Sequence, residues 1–421
     1  MFTRKPYIYL YVLTLIIFFH FINNFLWLYL DHTYLQYESA EHFLLSFKVF
    51  RSLQQHLFPW ISDVYNALGN PYRWHGVFVQ YLTAPFYFVL GGTQDAGVLV
   101  SSGISLAILI VSVYRIGKLL YNKATGCLAA FILSMYPLIF TQSRIYMLDL
   151  PLTAMVAFSI LLLLRSDGFS SKRYSAIFAL AAGVGLLIKF NFVLFVAGPL
   201  ILLFYKRLRN RGYIQIIRHM ATAVVILVLI DGMFYGIKFD EMWSRIFESS
   251  WFYWGRSHQE GSFLNIVCQG VPHYLWWILQ NCINSGTSFV LFLAVIPGIF
   301  LRKTYRMVLW VWFLVPVLVF AFMFPYANMG RYYMPILPAL ALISSAGLLA
   351  CGSLAVRWIL ISILVGLACF QYFAISYRMD FLPEKIQIYY PTGKGWETVR
   401  LLFFNRKISF LGYRSDHCRP N

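Results

Sequence analysis

Apolar runs long enough to cross a membrane recur along the whole chain, broken by short polar turns and by three longer polar segments. A helix of about 20 residues covers the ~30 Å hydrocarbon core of a bilayer. The pattern therefore predicts an all-α polytopic membrane protein with eleven spans, at 7–30, 97–119, 124–141, 149–165, 175–189, 191–205, 214–231, 286–301, 308–325, 333–350 and 357–374. The first run, Pro6 to Leu30, is too long for the core of a secretory signal peptide and ends in the aromatic stretch Trp27-Leu28-Tyr29-Leu30, so it reads as a retained anchor.

The three long polar segments carry patterns of their own. From Asp31 to Gly92, Phe43, Phe47, Phe50 and Leu53 recur at helical spacing, with Lys48, Arg51, Gln54 and Gln55 opposite them. Such a helix lies in the interface plane. Phe78 to Leu90 is apolar but short and interrupted by Pro85, which fits a second interfacial or re-entrant piece. Between Gly232 and Ser285, Trp243, Phe247, Trp251 and Trp254 mark one face of a further surface-lying helix. The last segment, 376–421, is a short tail following a membrane domain at 1–375.

Composition agrees with this pattern: of 421 residues 60% are hydrophobic and only 12% charged, far from the balance of a soluble globular domain. The formal net charge of +18 raises the question of nucleic acid, but its placement answers it. With the N-terminus cytoplasmic, the inside segments hold Arg4, Lys5, Arg115, Lys118, Lys123, Arg165, Lys172, Arg173, Lys206, Arg207, Arg209, Arg211, Arg218, Arg302, Lys303, Arg306 and Arg357, with a single acid, Asp167. Short cytoplasmic loops retain Lys and Arg, so the excess is a topology signal and no nucleic-acid partner is expected. The six cysteines show no metal-ligand spacing. Cys127, Cys351 and Cys369 read as buried small hydrophobes, and Cys268 and Cys282 share an outside loop in which they are able to pair.

Most isolated polar residues gather at the outer helix ends and loops: Asp31, His32, Glu38, Glu41, His42, Arg73, His75, Arg144, Asp149, Lys189, Asn191, Asp231, Arg256, His258, Arg331, Tyr332 and Tyr333. Asp149 opens a long hydrophobic run and Lys189 interrupts another; a charge in such a setting is costly unless it meets a partner or a polar cavity. Their bland explanations are a helix N-terminus capped by Asp149, interfacial histidines, and cations snorkelling to headgroups. The alternative is convergence on one surface, where Arg and Lys hold a phosphate and a carboxylate takes a proton from an attacking hydroxyl. A divalent metal ion on Glu38 and Asp149 would add charge neutralisation there.

Four patches, in order, resemble a known family: Tyr37-Glu38-Ser39-Ala40-Glu41-His42; Ser143-Arg144-Ile145-Tyr146-Met147-Leu148-Asp149-Leu150-Pro151-Leu152-Thr153; Leu186-Leu187-Ile188-Lys189-Phe190-Asn191-Phe192; and Gly330-Arg331-Tyr332-Tyr333-Met334-Pro335-Ile336-Leu337-Pro338-Ala339. Together they resemble the C-type glycosyltransferases of the protein O-mannosyltransferase superfamily, which includes the lipid A aminoarabinose transferases and the bacterial family-39 enzymes. The resemblance implies a polyprenyl-phosphate sugar donor and transfer on the non-cytoplasmic side of the inner membrane to a glycolipid, glycan or protein hydroxyl. It implies for Glu38 acceptor activation or metal binding, with Asp31 and Glu41 as substitutes, and for Asp149 a supporting catalytic role. Arg144, Lys189 and Arg331 become donor-phosphate candidates, joined by Arg73 and His75 from the Pro71-Tyr72-Arg73-Trp74-His75-Gly76 stretch. Glu41, His42, His258 and Tyr332 remain as substrate contacts. The rival from another class, a transporter of lipid-linked oligosaccharides, calls for polar residues midway along several spans, whereas these spans are almost clean.

Overall fold

A computed structural model describes residues 7–30, 37–55, 76–209, 213–237, 239, 263–283, 306–323, 330–376, 388–391 and 398–401. The protein is a helical bundle. In chain order the α-helices among the described residues are α1 (Ile8–Leu30), α2 (Tyr37–Gln55), α3 (Phe78–Thr83), α4 (Tyr87–Leu90), α5 (Gln94–Leu120), α6 (Lys123–Ser134), α7 (Pro137–Gln142), α8 (Asp149–Ser166), α9 (Lys172–Ile188), α10 (Phe192–Leu208), α11 (Tyr213–Ile237), α12 (Phe263–Trp277), α13 (Arg306–Met323), α14 (Leu337–Ala350) and α15 (Leu354–Ser376). A π-helical turn, Ile278–Ile283, extends α12, and a 3₁₀ segment, Gly330–Ile336, leads into α14. The short strands β1 (Ile388–Pro391) and β2 (Thr398–Leu401) pair antiparallel in the tail.

Six helices among the described residues are long and apolar enough to cross a membrane: Ile8–Tyr29, Gln94–Leu120, Asp149–Ser166, Tyr213–Gly232, Gly330–Ala350 and Leu354–Phe373. The protein is a multi-pass membrane protein, but the count of eleven spans is not reproduced. One reason is local. The expected span 124–141 divides because Pro137 starts α7, and the residue before a proline is driven out of the helical region. The span at 286–301 lies outside the described residues.

Burial sets apart two pairs among these six. The span of α8 is 83% buried and that of Gly330–Ala350 is 89% buried, whereas Tyr213–Gly232 and Leu354–Phe373 are 11% and 17% buried. The first two form the centre, and the last two present Val224, Val228, Leu229, Ile359 and Ile363 outward, as a lipid-facing helix does. Around α8 pack α5, α9, α10 and the 3₁₀ segment; α5 also packs on α6, and α14 on α6. At the α5–α6 contact Gly117 lies against Gly126, where an added side chain on Gly126 would meet the Tyr114 carbonyl.

α2 has the expected two faces. Leu45, Val49 and Phe50 are buried, and Lys48, Arg51, Gln54 and Gln55 are exposed. Its apolar face covers protein: Phe43, Phe47 and Leu53 pack on a cluster with Ala84, Tyr87 and Ala96. Residues 263–283, within the long outside segment expected at 232–285, form α12 and its π-helical turn. Tyr274, Ile278, Cys282 and Ile283 are in the main core, and Gly270 sits against Ala321 of α13. Cys282 is therefore buried while Cys268 is exposed, and both thiols are free. The helix expected to carry Trp243, Phe247, Trp251 and Trp254 lies outside the described residues.

Candidate active site

The centre of the candidate site follows from the lengths of two helices. α8 has 18 residues and α9 has 17, each about 26 Å long. They are joined by a tight reversal in which Asp167, Gly168 and Phe169 take φ of 49°, 62° and 69°. Two antiparallel helices of equal length bring the first residue of one beside the residue that ends the other. Those residues are Asp149 and Lys189. Lys189 leaves the helix in extended backbone, φ −151° and ψ 134°, and its Nζ donates to Asp149 Oδ1 at 2.7 Å. Each charge stands at the helix end whose dipole favours it, the acid at an N-terminus and the cation at a C-terminus.

A third group comes from a distant part of the sequence. The 3₁₀ segment packs on α8 and is fixed by Trp312 of α13, whose Nε1 donates to the Pro335 carbonyl at 2.9 Å. Tyr333 wedges between Tyr274 and Phe320, with centroids 5.1 and 5.2 Å away. This anchoring aims Arg331 at both acids: Nη1 lies 2.7 Å from Glu38 Oε2, and Nε lies 4.0 Å from Asp149 Oδ2. Glu38 sits in the first turn of α2. The four residues form a chain of alternating sign, Glu38–Arg331–Asp149–Lys189, with formal charge zero. Its inner end is sealed, with Asp149 and Lys189 each 1% exposed; its outer end is open, the Glu38 side chain being 37% exposed. The Tyr332 ring serves both cations, 5.4 Å from Lys189 Nζ and 5.5 Å from the Arg331 guanidinium carbon.

Within the chain Asp149 Oδ2 and Arg331 Nε are buried without a hydrogen-bond partner, since 4.0 Å is too long for one. The inner carboxylate thus keeps one oxygen held by Lys189 and one uncommitted. The arrangement accepts an anion or a hydroxyl at Arg331 and a proton at Glu38. It suits a metal ion poorly, because each acid already faces a guanidinium that a cation would have to displace. Among the described residues no group of three His, Cys, Asp or Glu side chains gathers.

The other sequence candidates fall into four sets. His42 shares a hydrogen bond with Gln80 of α3, Nδ1 to Nε2 at 3.2 Å, and Glu41 lies beside it on α2. Asp231 is buried without a hydrogen-bond partner against Gly183 of α9, at a helix contact where Tyr235 donates to the Leu186 carbonyl at 2.6 Å. Arg144 joins none of the four charged groups: its Nε donates to Asn24 at 3.1 Å and its Nη2 to the Tyr372 hydroxyl at 2.9 Å. Asp31, Arg73, His75, Arg256 and His258 lie outside the described residues. Asn24 and Tyr372 are not among the sequence candidates, although an Asn23-Asn24 pair inside a largely apolar helix is itself a signal of buried polar contact.

Comparisons with known proteins bear on the fold. Residues 74–234 match the family model described as dolichyl-phosphate-mannose-protein mannosyltransferase. ArnT from Cupriavidus metallidurans, solved with undecaprenyl phosphate, superposes with a TM-score of 0.59 at 14% identity, covering 88% of this chain and 65% of that one. The archaeal oligosaccharyltransferase AglB from Archaeoglobus fulgidus, solved with an inhibitory peptide and a dolichol-phosphate, gives 0.51 at 12% identity, covering 88% of this chain and 56% of that one. The chain spans about 65% of the length of ArnT. No curated protein sequence matches it. The shared architecture is the fold that the resemblance implies.

Proposed function

We propose, from the premise that this chain has the C-type glycosyltransferase fold, that it transfers a sugar from a polyprenyl-phosphate carrier to an acceptor hydroxyl on the non-cytoplasmic face of the inner membrane. The observation that carries this reading is the alternating chain Glu38–Arg331–Asp149–Lys189, buried at one end and open at the other. The lipid phosphates bound by ArnT and AglB support a lipid-linked donor.

The geometry supports distinct roles. The donor phosphate is an anion entering a site whose two cations are already neutralised, so it competes with Glu38 for Arg331. When the phosphate takes the guanidinium, Glu38 is released at the rim, where an acceptor from the aqueous side reaches it. Glu38 then takes the proton of the acceptor hydroxyl as its oxygen bonds to the anomeric carbon. The bond from that carbon to the phosphate oxygen breaks, and the carrier leaves as polyprenyl phosphate. Arg331 meets the charge that grows on the leaving oxygens, the kind of preorganised stabilisation that dominates many enzymes. Asp149 positions Arg331 and Lys189 from beneath. Arg73 and His75 are further donor-phosphate candidates in this reading, and Glu41, His42, His258 and Tyr332 are candidate substrate contacts. Residues 1–375 form the catalytic domain and 376–421 the extracytoplasmic tail, with the N-terminus cytoplasmic as the basic loops indicate.

The test is direct. Purified protein in proteoliposomes is incubated with labelled polyprenyl-phosphate sugars, and release, transfer and translocation of label are followed. Glu38→Gln and Asp149→Asn are expected to abolish release while the proteins still insert and fold. Translocation of the intact lipid without release, or full activity in both variants, refutes the assignment.

A further inference from the structure

The residues between α7 and α8, 143–148, are held from five directions. The Asn24 amide of α1 donates to the Ser143 Oγ at 2.8 Å and to its carbonyl at 3.3 Å. Arg144 reaches Asn24 and, on α15, Tyr372. Ser102 of α5 donates to the Ile145 carbonyl at 2.9 Å. The Tyr146 hydroxyl donates to Thr83 of α3 at 3.1 Å, and its carbonyl accepts from Ser39 of α2 at 3.1 Å.

The last bond links the two acids. Ser39 directly follows Glu38, and Tyr146 precedes Asp149 by three residues. A short path, covalent but for one hydrogen bond, therefore sets where the rim carboxylate stands relative to the inner one. Arg144 secures the other end of the connector. It is 2% exposed, and its guanidinium carbon lies 5.4 Å from the Trp27 ring, 5.4 Å from Phe140 and 5.3 Å from Tyr372. A phosphate ligand needs an open guanidinium edge; this one is enclosed by rings and committed to Asn24 and Tyr372.

We propose that the 143–148 connector is the frame that fixes the spacing of Glu38 and Asp149, and that Arg144 is its anchor, a positioning residue and not a donor-phosphate ligand. The proposal rests on the glycosyl-transfer reading above. A displacement of about 1 Å at a reacting group is able to cost ~100-fold in rate, so a loosened frame shows in kcat and leaves ground-state binding of the donor intact.

The experiment compares full-length Arg144→Ala, Arg144→Lys, Tyr372→Phe and Ser39→Ala with the parent protein in nanodiscs. Turnover of a polyprenyl-phosphate sugar and binding of undecaprenyl phosphate are both measured. The expected result is a loss of about tenfold or more in kcat for Arg144→Ala, no rescue by Lys, and severalfold losses for Tyr372→Phe and Ser39→Ala. KM for the donor and Kd for undecaprenyl phosphate stay within about twofold throughout. A rise of about tenfold in KM or Kd for Arg144→Ala, or parental kinetics in every variant, overturns the proposal. If Arg144→Ala fails to fold, Tyr372→Phe and Ser39→Ala carry the same readouts. If the parent turns over no donor, the glycosyl-transfer reading fails, and hydrogen–deuterium exchange of residues 143–148 still reads the frame. Exchange there raised severalfold by Ser39→Ala or Tyr372→Phe supports the frame, and unchanged exchange removes it.

Discussion

Lys189 and Arg144 are equally sealed from water, at 1% and 2% exposure, and both belong to the layer of the bundle around Asp149, yet they are neutralised in different ways. Lys189 meets a carboxylate at 2.7 Å inside a chain of alternating charges. Arg144 has no carboxylate partner among the described residues and instead sits among Trp27, Phe140 and Tyr372. The difference separates exchangeable charge from fixed charge. A carboxylate pair is able to trade one partner for a substrate anion, because the freed group then takes a proton or another cation. Ring faces offer no such exchange, since their attraction depends on close enclosure. The first arrangement suits chemistry, and the second suits a joint.

The largest expected effect on this comparison comes from the pair itself. Lys189→Met leaves Asp149 buried with only Arg331, 4.0 Å away, to offset its charge, and loss of one partner of a buried pair costs up to about 3–5 kcal/mol. Thermal unfolding in detergent is expected to show a marked drop in Tm, partly restored by the double variant Lys189→Met/Asp149→Leu, which stays inactive. A double variant no more stable than the single one breaks the view that the pair is mutual compensation. Next comes the rim acid. Glu38→Gln keeps the size of the side chain but removes the base, and general-base losses run to about 10²–10⁴ in kcat. Single-turnover rates are expected to fall by that factor with near-normal melting.

Smaller effects sharpen the contrast. Tyr332→Leu removes a ring shared by Lys189 and Arg331, worth about 0.5–2 kcal/mol, and is expected to weaken undecaprenyl phosphate binding several-fold while Tyr332→Phe does not. Fluorescence titration distinguishes these outcomes. Gly76→Ala tests the approach of the first loop to the end of α9, because a side chain there runs into the Leu187 carbonyl, two residues before Lys189. Activity is expected to fall more than stability. The smallest change belongs to Asp167→Asn at the far end of the α8–α9 hairpin. Its pair with Arg207, 3.3 Å and 39–45% exposed, contributes at most about 1 kcal/mol, and Asn tolerates the left-handed backbone found there.

Much of the site is legible in the chain's own pattern of charge and hydrophobicity. Asp149 and Lys189 stand out because an isolated charge in an apolar run demands a partner, and Arg331 because it lies beside an aromatic and proline-rich helix start. Their meeting is less legible. It depends on α8 and α9 having nearly the same length, and on the 3₁₀ segment being pinned by Trp312 from a helix elsewhere in the sequence. Arg144 shows the limit most plainly. As a basic residue five positions before Asp149 it looks like a phosphate ligand, and only the folded chain turns it toward Asn24 and Tyr372.

The amino-acid sequence by itself determined that this chain spans a membrane repeatedly, that α2 is two-faced, and that a few charges are stranded in apolar surroundings. Those properties follow from local periodicity and from the cost of burying charge, and neither needs distant residues. Tertiary structure alone decided which stranded charges pair and which are caged, how deep each lies, and how far apart the two acids stand. Those are outcomes of helix packing between segments up to 293 positions apart, Glu38 to Arg331, and no local pattern encodes such a distance.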